Sequence, residues 1–248
     1  MTKVIGLIPT RLNSTRLPQK SLMKIGNLPL IVHAYRRAKL SKNLDDVIIC
    51  CDDKKILNVA KKFKAKAVLT SKHHTNGTER ITEAFLKTKK NYDLVLDIQG
   101  DEPLISPNHI DKVIDFHKKN KEIDVILPHL KVPFLNNTNI VKVLFNKKNE
   151  VLYISRANVP FQFKKQTKFI NKHLSIISFK PKALITFSKY GKSNLEKIED
   201  IELLRALDIG LKIKTIRLSG DSFSVDVYGD YEKAKIQMSK DKYFKIYK

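Results

Sequence analysis

Lys3-Val-Ile-Gly-Leu-Ile-Pro9 is a short apolar run stopped by proline, and Thr10-Arg-Leu-Asn-Ser-Thr-Arg-Leu-Pro-Gln-Lys20-Ser21 follows it as an entirely different, polar stretch. A run of this length and closure reads as a buried strand that feeds a loop. The pattern then repeats. Helical spacing begins near Pro29 and lasts to Leu40, with proline in the first turn. Asp46–Cys51, Ala65–Leu69 and Tyr92–Ile98 read as further strands. Between and after them, Asp53–Phe63 (capped by Asp52 or Asp53), Gly77–Lys89 and Pro107–Lys119 read as helices. Four strand–helix alternations in 120 residues predict an α/β fold, a parallel sheet with helices on both faces. Ligands of such sheets bind at the carboxyl ends of the strands.

Beyond residue 120 the character changes. Val125–Val132, Ile140–Phe145, Val151–Ser155 and His173–Phe179 are strand-like with no helix between them, which predicts an inserted antiparallel sheet over about 124–180. Asn194–Ile209 returns to helical spacing, with Ser193 or Asn194 as cap and Gly210 as stop. Lys212–Leu218 reads as a strand and Tyr228–Met238 as a closing helix. No Pro- or Ser-rich linker divides the 248 residues, so a single domain is expected.

Lysine and arginine number 48 against 25 acids, a formal charge of +23. Only eight of the bases are arginine, the side chain suited to phosphate and base recognition. The lysines are scattered without interleaved aromatics, so solvated helix faces are expected rather than a nucleic-acid groove. A non-catalytic, basic nucleic-acid-binding protein is the alternative of another class. Adjacent Cys50 and Cys51 end an apolar run and read as buried thiols of a reducing compartment. No stretch approaches membrane-spanning length and the N-terminus lacks a signal-peptide core, so a cytoplasmic protein with no membrane partner is expected.

The loop after the first strand carries the chemistry. No G-x-G-x-x-G or G-x-x-x-x-G-K phosphate cradle occurs there. Instead Arg11, Arg16 and Lys20 share one loop whose freedom Pro9 and Pro18 limit, where three cations can neutralise a polyphosphate at a strand's carboxyl end. Asp97-Ile-Gln-Gly-Asp101 closes the fourth strand; Gly100 permits a close turn and Asp101 offers a hard oxygen ligand. Mg²⁺ takes one or two carboxylates plus phosphates and waters, so a second acid is expected.

Arg11 to Lys20 resembles the R-x-x-S-x-R-L-P-x-K signature of the cytidylyltransferases that make CMP-activated acid sugars. Asn76-Gly-Thr-Glu-Arg80 and Gln99-Gly-Asp-Glu-Pro103 resemble that family's S-G-T-E-R and Q-G-D-E-P segments. Val141-Lys-Val143, Ser155-Arg-Ala157, Lys172-His-Leu174, Leu195-Glu196…Glu199…Glu202…Leu204-Arg205 and Val225-Asp226 follow in the family's order. Within the family the match is nearest to the enzymes that use 3-deoxy-manno-octulosonate (Kdo). The resemblance implies a Rossmann-like, GT-A-like nucleotidyltransferase that transfers CMP from CTP to the anomeric hydroxyl of Kdo, giving CMP-Kdo and pyrophosphate for lipopolysaccharide biosynthesis. 8-Amino-Kdo or a nonulosonate such as N-acylneuraminate is the alternative substrate. It implies catalytic Arg11, Arg16, Lys20 and Asp101. It also implies a nucleotide site of Thr10, Arg11, Ser14, Lys20, Thr75, Asn76, Gly77, Thr78, Arg80 and Gly100. Sugar contacts are implied for Gln99, Lys142, Arg156, His173 and Glu202, Mg²⁺ ligation for Asp101 and Asp226, and a homodimer formed through the inserted, sugar-binding region. No side chain stands out as a general base, and a metal-lowered pKa of the sugar hydroxyl is expected to replace one.

Three stretches depart from the family pattern. His173-Leu-Ser-Ile-Ile-Ser-Phe179 has Ser175 for a glycine and Ile177 for a tyrosine; Leu203 replaces a glutamine; and Ser224-Val-Asp-Val-Tyr-Gly-Asp230 alters the flank of Asp226. Loss of hydroxyl-binding side chains is expected to alter sugar specificity more than the reaction itself.

Overall fold

The structure is a computed structural model that describes residues 2–247. The chain packs as two compact units, one running up to Lys112 and resuming at Ser222, the other spanning Val113–Asp221.

In the first unit β1 (Val4–Thr10) is buried along nearly its whole length. A 3₁₀ turn at Lys20–Leu22 and a short hairpin, β2 (Lys24–Ile25) with β3 (Leu28–Pro29), lead into α1 (Leu30–Ala38), which Pro29 opens as the N-cap. Then come β4 (Asp46–Cys51), α2 (Lys54–Lys62), β5 (Ala67–Leu69), α3 (Gly77–Thr88), β6 (Leu94–Ile98) and α4 (Pro107–Lys119), in which the chain passes to the second unit. The strand order is β5-β4-β1-β6, all parallel. The predicted alternation is therefore present, with element ends shifted by a residue or two as fraying caps allow. Asp53, not Asp52, caps α2, its carboxylate accepting from the Lys55 amide at 2.7 Å. Both cysteines are buried free thiols, and burial pushes the Cys51 thiol up to about 11.

The second unit is built on β7 (Val125–Pro133). β8 (Lys142–Phe145) pairs antiparallel with β9 (Val151–Ser155) and with β10 (Phe169–His173), and β10 pairs antiparallel with β7. The expected single strand over His173–Phe179 is corrected here. β10 ends at His173, and β11 (Ile176–Phe179) resumes against β7 in a shifted register. The break lies opposite Pro128, which has no amide to give to a ladder and accepts from Leu174 N at 3.0 Å. α5 (Pro181–Lys189), which periodicity did not predict, starts with proline at its N-terminus and buries Ala183, Leu184 and Phe187. The expected helix over 194–209 is two: α6 (Asn194–Glu199), capped by Ser193, and α7 (Leu203–Asp208). Asp200 ends α6 in the left-handed region at φ 51°. Within 125–179 the pairings are antiparallel, as expected, and β12 (Ile213–Leu218), from outside that stretch, adds to β7 in parallel.

Back in the first unit, α8 (Tyr228–Lys240) and α9 (Phe244–Tyr247) close the chain. Val225, Ala234 and Met238 pack there with Ile25 and Leu30. Arg37 of α1 donates to the carbonyls of Ile105 and Leu104 and pairs with Asp241, tying α1, the segment after β6 and the C-terminal helices together. Among the described residues no helix is long and apolar enough to cross a membrane.

A buried histidine makes the second unit sensitive to acid. His117 Nε2–H donates to Ile123 O at 3.1 Å, since a carbonyl can only accept, and Nδ1 takes the Ser178 hydroxyl at 2.7 Å. Burial, helped by the nearby Lys180 charge, pushes the imidazole down to about 4. Unfolded, it titrates near 6.5, so between about pH 6.5 and 4 the unfolded chain binds a proton that the folded one refuses. Stability should fall as pH drops through that window. Thermal melts of the wild type at pH 7 and pH 5 should show a larger drop in Tm than those of His117→Gln; equal drops would refute this assignment.

Candidate active site

Two pieces of main chain build the site, the turn that follows β6 and the stretch that precedes α8. At the carboxyl end of β6, Gly100 lies flat against β1. A Cβ there would stand 2.8 Å from Pro9 O and 2.9 Å from Ile31 Cδ1. The next residue, Asp101, is partly exposed. Before α8, Val225 is fully buried and its neighbour Asp226 is half-exposed. The two segments are joined by a backbone bond, Val225 N to Asp101 O at 2.9 Å. Both carboxylates therefore belong to one spot, although 125 positions of chain separate them.

Lys20 fills that spot. Its Nζ donates to Asp101 Oδ2 at 2.7 Å, to Asp226 Oδ1 at 3.0 Å and to Val225 O at 3.0 Å. Three acceptors match the three protons of an ammonium. Burial disfavours the charge on Lys20, but Asp101 and then Asp226 outweigh it and raise the Lys20 pKa. Burial also works to raise Asp226, yet Lys20 and Arg16 hold its carboxyl below the usual range. Arg16 Nη2 lies 2.9 Å from the same Asp226 oxygen, and Ser224 Oγ donates to the other at 3.1 Å. The altered flank of Asp226 thus still presents the acid to the loop. Thr10, Arg11 and Ser14 line the same loop, exposed or half-exposed.

At the other side of β1, Asp52 does what its sequence position did not announce. Its Oδ1 accepts the Leu12 amide at 2.9 Å, and its Oδ2 lies 3.6 Å from Arg80 Nη2. Arg80, buried at the start of α3, also donates to Thr70 Oγ1 and Ser71 O. One carboxylate thereby couples the cationic loop to the Thr75–Arg80 segment. Within that segment Asn76 caps α3, accepting from Glu79 N at 2.8 Å, and the Glu79 side chain reaches back to the Thr75 amide. Gly77 and Thr78 form the first turn of the helix. Gln99 Nε2 donates to the fully buried Asp97.

The second unit groups Lys142, Arg156 and His173. The ladder sets Lys142 beside Ser155 on one side and Lys172 on the other. Lys142 is 1% exposed and donates to Asn137 O and Arg156 O. Arg156 donates to Glu199 O, Asp200 O and Thr138 O, closing the C-terminus of α6, while Glu199 accepts Ser155 Oγ and Arg156 N. Burial, with the charges of Lys172 and Arg156, pushes His173 down to about 4, so its ring is neutral at physiological pH. Glu202 stands at the N-terminus of α7. The Glu196–Arg205 pair is buried and bidentate, both bonds at 2.7 Å, with Arg205 stacked on Phe187. It shapes the α6–α7 corner. Ile177 and Leu203 are core residues, 4% and 2% exposed.

A parallel sheet whose strand ends gather loop cations and paired carboxylates is the arrangement of a nucleotidyltransferase. The chain belongs to the cytidylyltransferase family, whose model matches residues 5–213. It is 41% identical over 245 residues to a 3-deoxy-manno-octulosonate cytidylyltransferase of Thermodesulfovibrio yellowstonii, spanning 93% of this chain and 96% of the relative. An 8-amino-3,8-dideoxy-manno-octulosonate cytidylyltransferase of Shewanella pealeana is 35% identical over 240 residues, spanning 95% and 98%. A solved CMP:2-keto-3-deoxy-manno-octonic acid synthetase complexed with CTP superposes with a TM-score of 0.90 at 28% identity, covering 96% of this chain and 99% of that one.

The close approach at Gly100 is testable. Gly100→Ala must push β6 from β1 against backbone, so urea unfolding should show a loss of about 1–3 kcal/mol, the usual cost of overpacking. An unchanged midpoint would show that the contact is soft.

Proposed function

We propose that this chain transfers CMP from CTP to the anomeric hydroxyl of Kdo, releasing pyrophosphate, the activation step that lipopolysaccharide biosynthesis needs. The convergence of Arg16, Lys20, Asp101 and Asp226 at one strand-end site carries this reading. The sugar oxygen bonds to the α-phosphorus, the α–β phosphoanhydride bond breaks, and the hydroxyl proton passes to water. Such a transfer demands positioning and charge neutralisation more than covalent help from the protein.

Each residue has a role in that scheme. Arg11 and Arg16 neutralise the phosphates, and Lys20 stabilises the departing pyrophosphate. Thr10 and Ser14 contribute hydroxyls along the same loop. Thr75–Thr78 and Arg80 orient the cytidine, with Asp52 fixing Arg80 and Leu12 relative to one another. Gly100 lets Asp101 sit close to β1.

The donor set fits Mg²⁺, because two carboxylate oxygens already converge on a single cation, the Lys20 ammonium. Asp101 and Asp226 would hold the metal. When bound it would supply charge at the α-phosphate and lower the pKa of the attacking hydroxyl. Among the described residues no group of three or more His, Cys, Asp or Glu side chains is assembled for a metal. Two carboxylates suffice for an ion that keeps phosphate and water ligands.

For the sugar, Gln99 in the first unit is proposed as a contact. In the second unit we propose Lys142, Arg156 and neutral His173 as sugar contacts and Glu202 as a hydroxyl acceptor. The 35% identity to an 8-amino-Kdo enzyme, with Ile177 and Leu203 buried and apolar, supports that sugar as the second reading. A homodimer is also proposed. Phe161 and Phe163 are each 84% exposed in the second unit, an apolar surface that a second copy would cover.

Pyrophosphate release from CTP and Mg²⁺ should be measured with Kdo, 8-amino-Kdo and N-acetylneuraminate. Turnover is expected with Kdo, falling about 100-fold or more in Asp101→Asn. Absence of turnover with every sugar would overturn the assignment, and preference for another sugar would move it to that substrate. Light scattering should show a dimer that Phe161→Ser/Phe163→Ser converts to monomer; a wild-type monomer would refute the dimer.

A further inference from the structure

We propose that Lys20 is an exchangeable counter-ion, which holds the divalent-cation position between Asp101 and Asp226 and yields it when a polyphosphate draws the ammonium away. The inference rests on the cytidylyltransferase reading only for the nature of that anion.

Its geometric basis is exclusion. The ammonium stands 2.7 Å from Asp101 Oδ2 and 3.0 Å from Asp226 Oδ1. A divalent ion held by these two carboxylates would compete with the ammonium for the oxygens it now occupies. All three ammonium protons are also committed, the third to Val225 O at 3.0 Å. Lys20 therefore cannot contact a phosphate and keep its present partners. It does one or the other.

Charge accounting gives the exchange its direction. Two carboxylates face Lys20 and Arg16, and the four groups sum to neutrality. Adding a divalent ion alone either leaves an excess of two positive charges or expels Lys20 into water with no new partner. A polyphosphate supplies both the missing negative charge and a new acceptor for the ammonium. Divalent ion and polyphosphate should thus bind with strong mutual coupling, which is reciprocal by linkage. Meanwhile the lysine keeps two like charges together at the site.

The test uses Mn²⁺ alone, without nucleotide, with free Mn²⁺ followed by electron paramagnetic resonance. Lys20→Met should bind one Mn²⁺ at least tenfold more tightly than the wild type, and Lys20→Met/Asp101→Asn should lose that gain. Equal or weaker binding by Lys20→Met, or a gain that survives removal of the Asp101 charge, would overturn the proposal. A second measurement needs no variant. In wild-type protein, acetylation of Lys20 by acetic anhydride, read by mass spectrometry, should quicken several-fold at saturating Ca²⁺ and stay constant in K⁺ of equal ionic strength. No acceleration by Ca²⁺ would overturn it. Neither readout involves turnover, so a chain that uses CTP and Kdo but shows no exchange refutes this proposal alone.

Discussion

The ammonium of Lys20, held by acceptors from two segments that lie far apart in sequence, is the interaction on which the site depends. Asp101 comes from the end of β6, and Val225 and Asp226 come from the extended chain before α8. Without a cation between them, two partly buried carboxylates would repel, and the backbone bond from Val225 to Asp101 would have to oppose that repulsion unaided. Removing one partner of such a cluster costs more than the cluster's net contribution, because the remaining charges are left uncompensated. Arg16 adds a more exposed and therefore weaker contact to the same oxygen.

The fold makes this convergence possible by close packing behind the site. β1 lies between β4 and β6, so the loop that leaves it starts beside the tips of both neighbours. Gly100 brings the turn after β6 against Pro9, and the burial of Val225 leaves Asp226 on the open side. Arg37 binds the carbonyls of Leu104 and Ile105 and the Asp241 carboxylate at once, which fixes the segment after Asp101 relative to the helix that follows Asp226. The tie from Asp52 to Leu12 and Arg80 does the same for the loop's other flank. Rigid support of this kind allows a mostly electrostatic site to keep its charges aimed.

Much of this was legible in the sequence where local pattern and tertiary context agree. Buried parallel strands announce themselves as short apolar runs, so β1, β4 and β6 were readable, as were the cations of the loop and Asp101. Context was needed elsewhere. The break between β10 and β11 depends on a proline in a different strand, Pro128, and the break between α6 and α7 depends on a non-glycine left-handed residue, Asp200. α5 did carry a signal, Pro181 followed by apolar Ala183, Leu184 and Phe187, that alternation-based reading passed over. Asp52 looked like a helix cap because Asp53 is one. Only the fold shows that the Asp52 carboxylate faces the loop. Likewise Lys142 and Arg156 could be read as available cations, whereas the structure commits them to main-chain carbonyls around α6. Sequence motifs named the residues that matter without distinguishing those that touch a ligand from those that hold the scaffold.

Co-crystallisation with CTP and Mn²⁺, with anomalous diffraction recorded at the manganese edge, tests the central claim most directly. The expected map has the triphosphate along residues 10–20 and a manganese peak within ligand distance of both Asp101 and Asp226. A nucleotide bound away from that loop, or a manganese peak touching neither carboxylate, would contradict it.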